Sequence, residues 1–225
     1  MLRNQKIGFK RSPTVRSVGG WIFFHGIHVE RGATDLFGRA RECCRRSTEN
    51  SEQLRCSGHR DQSALLYPFN DPGQLPIKPL REPNGERLRL SINFPDGKLS
   101  IGTWQAQVGR TKLYLLDTND PANTPVNRGM TTELYGGGPG LRLRQEMVLG
   151  IGSWRLLTAL GIQPELCHLN EGHAALAVLE RARSYLADNR KPFDHSRTIT
   201  RAGNLFTTHT PVEAGFDRFA PGLRT

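Results

Sequence analysis

Leu88, Leu90, Ile92 and Phe94 alternate with polar residues, the period of a strand with one buried face. Pro95-Asp96-Gly97 follows with turn chemistry, so a chain reversal is predicted there. Residues 99–108 and 112–118 read as two further strands joined around Gly109 and Arg110. Together the three predict a β-meander. From Leu141 the period becomes helical: Leu143, Met147, Ile151, Trp154, Leu157 and Leu160 recur at three- and four-residue steps. Gly161 is expected to stop that helix. Gly150 and Gly152 fall inside it, where each weakens a helix by roughly 1 kcal/mol, so close packing against a neighbour is expected at both. The short apolar run at residues 165–169 predicts a buried strand. A second helix follows, with Ala175, Leu179, Ala182 and Leu186 on one stripe. Leu205 then begins another strand. Helices and strands alternating over short connections predict an α/β fold with a parallel sheet.

The preceding part of the chain has a different character. Residues 1–61 are dense in Arg and Ser, and Gly19, Gly20 and Gly32 interrupt any periodicity. Neither a helical stripe nor paired strands are evident, so an irregular or disordered leader is expected, with the folded domain occupying residues 62–225. Of the net charge of +10, the leader carries +6, from 12 Lys/Arg against 6 Asp/Glu. A basic excess attracts phosphates or nucleic acid when it is concentrated on a folded face. Here it sits mostly in the leader, and no nucleic-acid partner is expected.

The longest apolar cluster near the N-terminus, residues 21–24, is far short of the roughly 20 residues a membrane span requires. No apolar h-region follows the basic start, so no signal peptide is expected and the cytoplasm is the default compartment. Cys43, Cys44, Cys56 and Cys167 lack the spacing of a disulfide framework. Cys56 and His59 suggest one half of a zinc site, but adjacent Cys43 and Cys44 are poorly placed to supply the other half.

In parallel α/β sheets ligands bind outside the carboxyl ends of the strands. Two polar clusters fall there: His168-Leu-Asn-Glu-Gly-His173 and Thr207-Thr-His-Thr-Pro211. A metal site from His168, Glu171 and His173 lacks the His-Glu-x-x-His spacing, and none is expected. The glycines of residues 136–140 lack the Lys-Ser/Thr of a phosphate-binding P-loop.

Seven strings occur in order: Tyr67-Pro-Phe-Asn-Asp-Pro72 with Leu75-Pro-Ile77, Trp104-Gln-Ala-Gln-Val-Gly-Arg110, Leu113-Tyr-Leu-Leu-Asp-Thr118, Leu134-Tyr-Gly-Gly137, Arg144-Gln-Glu146 and the two clusters above. This succession resembles the short bacterial type of α-glucan phosphorylase, the family of glycogen and maltodextrin phosphorylases. The resemblance covers nearly all of residues 62–225 and none of residues 1–61. It implies part of the N-terminal Rossmann-like lobe of a two-lobed glycosyltransferase (GT-B type), with the meander as an insertion.

The activity so implied is phosphorolysis of an α-1,4-glucan, glycogen or maltodextrin, by inorganic phosphate to give glucose 1-phosphate, with retained configuration. The family uses pyridoxal phosphate through the cofactor's phosphate group. His209 matches the family histidine that contacts the glucosyl unit near the developing positive charge. Asn170, Glu171, His173 and Thr210 match substrate-binding positions, and Gly136 and Gly137 match the loop that gates the site. Relatives place an acidic residue where this chain has Gly138. None of Lys6, Lys10, Lys78, Lys98, Lys112 or Lys191 stands in the context of the cofactor lysine. The expectation is therefore an incomplete N-terminal lobe, inactive alone. The alternative is a non-catalytic glucan-binding or interaction module, but Trp104, Tyr135 and Trp154 are too scattered to suggest a sugar-stacking platform.

Overall fold

A computed structural model of the chain describes the strand backbones at residues 22–24 and 27–30, and residues 72–108, 111–132, 138–208, 212 and 216–224. Strand β1 spans Ile22–Phe24 and β2 Ile27–Glu30. After β3 (Ile77–Pro79) come β4 (Arg89–Phe94), β5 (Gly97–Val108) and β6 (Thr111–Asp117), the expected meander. All of its pairings are antiparallel. Leu90, Ile92 and Phe94 of β4 are buried, as their alternation predicted, and they join Leu99 and Ile101 of β5 in the core.

The helical segment after the meander starts with the short α1 (Pro125–Arg128), followed by α2 (Pro139–Met147). One continuous helix was expected through Leu160. Instead Val148–Gly152 forms a π turn before α3 (Ser153–Ala159) continues the run. Within that turn stands Gly150, where a Cβ would lie 2.8 Å from the Ala177 backbone nitrogen and 2.9 Å from the Leu176 Cβ. The expected close packing is present, and it coincides with the change of helical hydrogen bonding. Gly161 ends α3 at φ 64°. The Gly161 and Ile162 N–H groups donate to the Thr158 and Leu157 carbonyls at 3.0 and 2.9 Å, the paired bonds of a Schellman stop.

Strand β7 (Leu166–Asn170) is buried at Cys167, His168 and Leu169. Helices α4 (Leu176–Asn189) and α5 (Phe193–Arg201) then lead to β8 (Asn204–Thr207), which pairs parallel with β7. The predicted stripe on α4 holds at Ala182, which is buried, and is corrected at Leu179, which is 47% exposed while Ala177 and Glu180 take the inner face. A carboxylate on the inner face displaces the apolar pattern because Arg155 and Arg183 donate to it, both at 2.8 Å. Helix α5 has no apolar stripe to announce it. Its buried Ser196 and Thr200 return their hydroxyls to the Pro192 and Ser196 carbonyls, which satisfies polar groups within one helix.

Among the described residues the eight strands form one mixed sheet, ordered β3-β5-β6-β1-β2-β7-β8, with β4 also paired to β5. The parallel expectation holds for β7 with β8; β1, a strand that was not expected, also runs parallel to β6, whereas β2 runs antiparallel to β7. The pairing of β1 with β2 corrects the reading of the leader as free of paired strands. These runs are three and four residues long, too short for alternation to register. Yet the two residues between them end in Gly26, a common two-residue hairpin length and chemistry. The rest of the leader, including Cys43, Cys44, Cys56 and His59, lies outside the described residues. No helix among the described residues is long and apolar enough to cross a membrane.

Candidate functional site

Because β7 and β8 are parallel neighbours, their carboxyl ends reach the same edge of the sheet. The register pairs Asn170 with Thr207. One residue on, Glu171 donates its backbone N–H to the Thr207 carbonyl at 2.8 Å and accepts the Thr208 hydroxyl on Oε2 at 3.0 Å. The buried His168 ring is held by the Thr207 hydroxyl, 2.6 Å from Nε2. The two polar clusters are therefore tied together as far as Thr208. His209, Thr210, Gly136 and Gly137 lie outside the described residues.

Glu171 stands at φ 61° and ψ −178°, a combination otherwise almost confined to glycine. Such a residue costs of order 1–3 kcal/mol and persists only where its surroundings hold it. Here the strand ends hold it from both backbone and side chain. The turn then passes into a short 3₁₀ segment, Gly172–Ala174, which carries His173.

His173 meets residues that the sequence did not single out for a site. The Arg142 guanidinium, in the first turns of α2, lies 2.5 Å from His173 Nδ1. The same guanidinium is 3.4 Å from Glu146 Oε1 and 3.0 Å from Asp217 Oδ2. Glu146 belonged to a recognised string, and Arg142 stands one helical turn before it. Sequence separations of 31 from Arg142 to His173, and of 75 from Arg142 to Asp217, leave no local pattern to reveal the meeting. Burial pushes the Glu146 carboxyl above its usual range, assisted by Asp217 and opposed by His173 and Arg142. Asp217 is also partly desolvated, but the hydrogen bonds from Glu146 and Arg142 prevail and hold its carboxyl below the usual range.

His168, Glu171 and His173 do not converge on one point, since each is engaged with a different partner. Among the described residues Glu146, His173 and Asp217 do bring possible ligand atoms within 4.8 Å of one another. The Arg142 guanidinium touches all three, so the cation in that cluster is already supplied by the chain. As for pyridoxal phosphate, the described lysines, Lys78, Lys98, Lys112 and Lys191, are all exposed on the surface. They do not fit a Schiff-base site, which needs a lysine enclosed with the cofactor.

No family model matches the chain. It is 42% identical over 154 residues to the maltodextrin phosphorylase of Thermococcus litoralis, covering 68% of this chain and 18% of that protein. The glycogen phosphorylase of Mycobacterium tuberculosis is 41% identical over 159 residues, with the same two coverages, 68% and 18%. That of Aquifex aeolicus is 37% identical over 168 residues, covering 75% of this chain and 24% of the relative. The chain thus spans about a fifth of the length of the curated relatives it matches.

Proposed function

We propose that this chain, homologous to maltodextrin and glycogen phosphorylases over about two-thirds of its length, supplies the glucosyl-facing part of an α-glucan phosphorylase site. In this reading it is a portion of the N-terminal Rossmann-like lobe of a GT-B type enzyme. Its substrates are an α-1,4-glucan and inorganic phosphate, its product is glucose 1-phosphate, and its compartment is the cytoplasm. The observation that carries the reading is the tie between Glu171 and residues Thr207 and Thr208. It draws the two polar clusters to one sheet edge and costs backbone strain.

The chain's own residues have tasks of orientation and electrostatics. Asn170, Glu171, His173 and Thr210 bind the hydroxyls of one glucosyl unit and fix the position of its anomeric carbon. His209 approaches that carbon and offers its backbone carbonyl to the positive charge that grows there, a contact strongest at the transition state. Gly136 and Gly137 stand where the family has the loop that gates its site. Pyridoxal phosphate, when bound elsewhere in such an enzyme, supplies a phosphate group to the chemistry.

Replacing the matched stretch of the Thermococcus litoralis maltodextrin phosphorylase with its counterpart from this chain tests the reading. The folded chimaera is expected to release glucose 1-phosphate from maltodextrin, and His209→Ala in it to lower kcat while changing KM little. A folded chimaera without phosphorolysis overturns the proposal.

A further inference from the structure

Glu82-Pro-Asn-Gly-Glu86 closes the hairpin that precedes β4, where Arg81 and Arg87 form an antiparallel bridge. The Glu82 N–H donates to the Glu86 carbonyl and the Gly85 N–H to the Glu82 carbonyl, both at 2.9 Å. Gly85 stands at φ 87°, so this three-residue loop needs glycine at its left-handed position. The turn thereby places the chain's one Asn-Gly pair, Asn84 and Gly85, on the exposed surface. Asparagine before glycine is a labile pair, because no Cβ shields the glycine nitrogen from the side-chain amide carbon beside it.

In the closed turn both reacting groups are occupied. The Gly85 N–H must lose its proton to become a nucleophile, and the Glu82 carbonyl holds it. Asn84 Oδ1 accepts the Glu86 N–H at 2.9 Å, which pins the amide. Arg81 Nη1 adds a bond to the Gly85 carbonyl at 2.7 Å. We propose that Asn84 is a site of spontaneous deamidation guarded by its own turn, modified only from molecules in which the Gly85–Glu82 hydrogen bond has opened. Hydroxide takes the Gly85 amide proton, and the nitrogen attacks Asn84 Cγ. The N–Cγ bond forms, the Cγ–Nδ2 bond breaks, and Nδ2 leaves as ammonia with a proton from water, which regenerates hydroxide. Water then opens the cyclic imide at either carbonyl to leave aspartate or isoaspartate. Residues 81–86 are all exposed, so the turn can open without disturbing the core. When reclosing outpaces the chemistry, modification tracks the population of the open form. The product adds a carboxylate between those of Glu82 and Glu86, and the loss of ammonia makes the change irreversible.

The test does not depend on the phosphorylase reading. Conversion of Asn84 is followed in the full chain at neutral pH, folded and in strong urea, by peptide mass mapping with isoaspartate detection. Conversion is expected in both conditions, slower in the folded chain by about tenfold or more. Pro83→Gly removes the ring that presets the turn and leaves Asn84, Gly85 and the bonding groups of the tip in place. It is expected to raise the folded-state rate several-fold relative to the rate in urea. Equal wild-type rates in the two conditions, no conversion in urea, or an unchanged ratio in folded Pro83→Gly overturns the proposal. Should that variant unfold, which circular dichroism would show, Arg81→Met takes its place with the same expectation, since it removes only the side-chain bond to the Gly85 carbonyl.

Discussion

Glu171 grips the far strand by the Thr208 hydroxyl, 3.0 Å from Oε2, while its own backbone sits at φ 61°. The two facts belong together. A residue with a Cβ adopts this conformation only under constraint, and the constraint comes from β8 through the Thr207 carbonyl and the Thr208 side chain.

Two substitutions separate strain from grip. Glu171→Ala keeps the strained conformation and loses the bond to Thr208, whereas Glu171→Gly loses the same bond and removes the strain. Glu171→Gly is expected to be more stable than Glu171→Ala by about 1–2 kcal/mol in chemical denaturation, the reverse of the usual Ala–Gly order. Equal stability, or a more stable alanine variant, would show that the turn is relaxed.

The π turn yields a second expectation. Gly150→Ala gains helix propensity of about 1 kcal/mol but drives a Cβ to within 2.8 Å of the Ala177 backbone nitrogen. Backbone cannot swing aside as a flexible side chain can, so a net loss of about 1–3 kcal/mol is expected. Gly129, at φ −76° with nothing within 4 Å of a built Cβ, is the control. Its alanine variant should be neutral or slightly stabilising, and similar behaviour at Gly150 would refute the close approach.

Acid should weaken the fold through Glu180. Burial acts to raise its carboxyl, but hydrogen bonds from Arg183 and Arg155 prevail and hold it below the usual range. A carboxyl depressed in the folded state contributes fully above its unfolded value, near about 4.3, and loses that contribution as pH falls through the folded value. Glu180→Gln is therefore expected to cost about 2 kcal/mol at neutral pH, with the gap to wild type closing below about pH 4. A gap independent of pH would mean that the carboxylate's charge contributes nothing.

How much of this was legible beforehand depended on the range of the interactions involved. Leu90, Ile92 and Phe94 announced β4 because a half-buried strand needs only local alternation. The His168–His173 cluster could be set at a strand end for the same reason. Glu180 broke the α4 stripe because its inward position depends on Arg155, 25 residues away. The Arg142–His173 contact depends likewise on how α2 packs against the turn after β7. The φ of Glu171 had no signature either, since the residue types that favour positive φ are absent at that position. The β1–β2 pair was missed because short strands between β6 and β7 draw their order from neighbours distant in sequence.

The most direct measurement of the central claim is a titration of the ¹⁵N-labelled chain with maltoheptaose, followed by amide shifts. The account predicts perturbations confined to residues 136–137, 170–173 and 207–210, with none from cellohexaose, whose β-linkages present the same sugar in another geometry. Perturbations centred elsewhere, or equal responses to both glucans, would contradict a glucosyl site at the joined ends of β7 and β8.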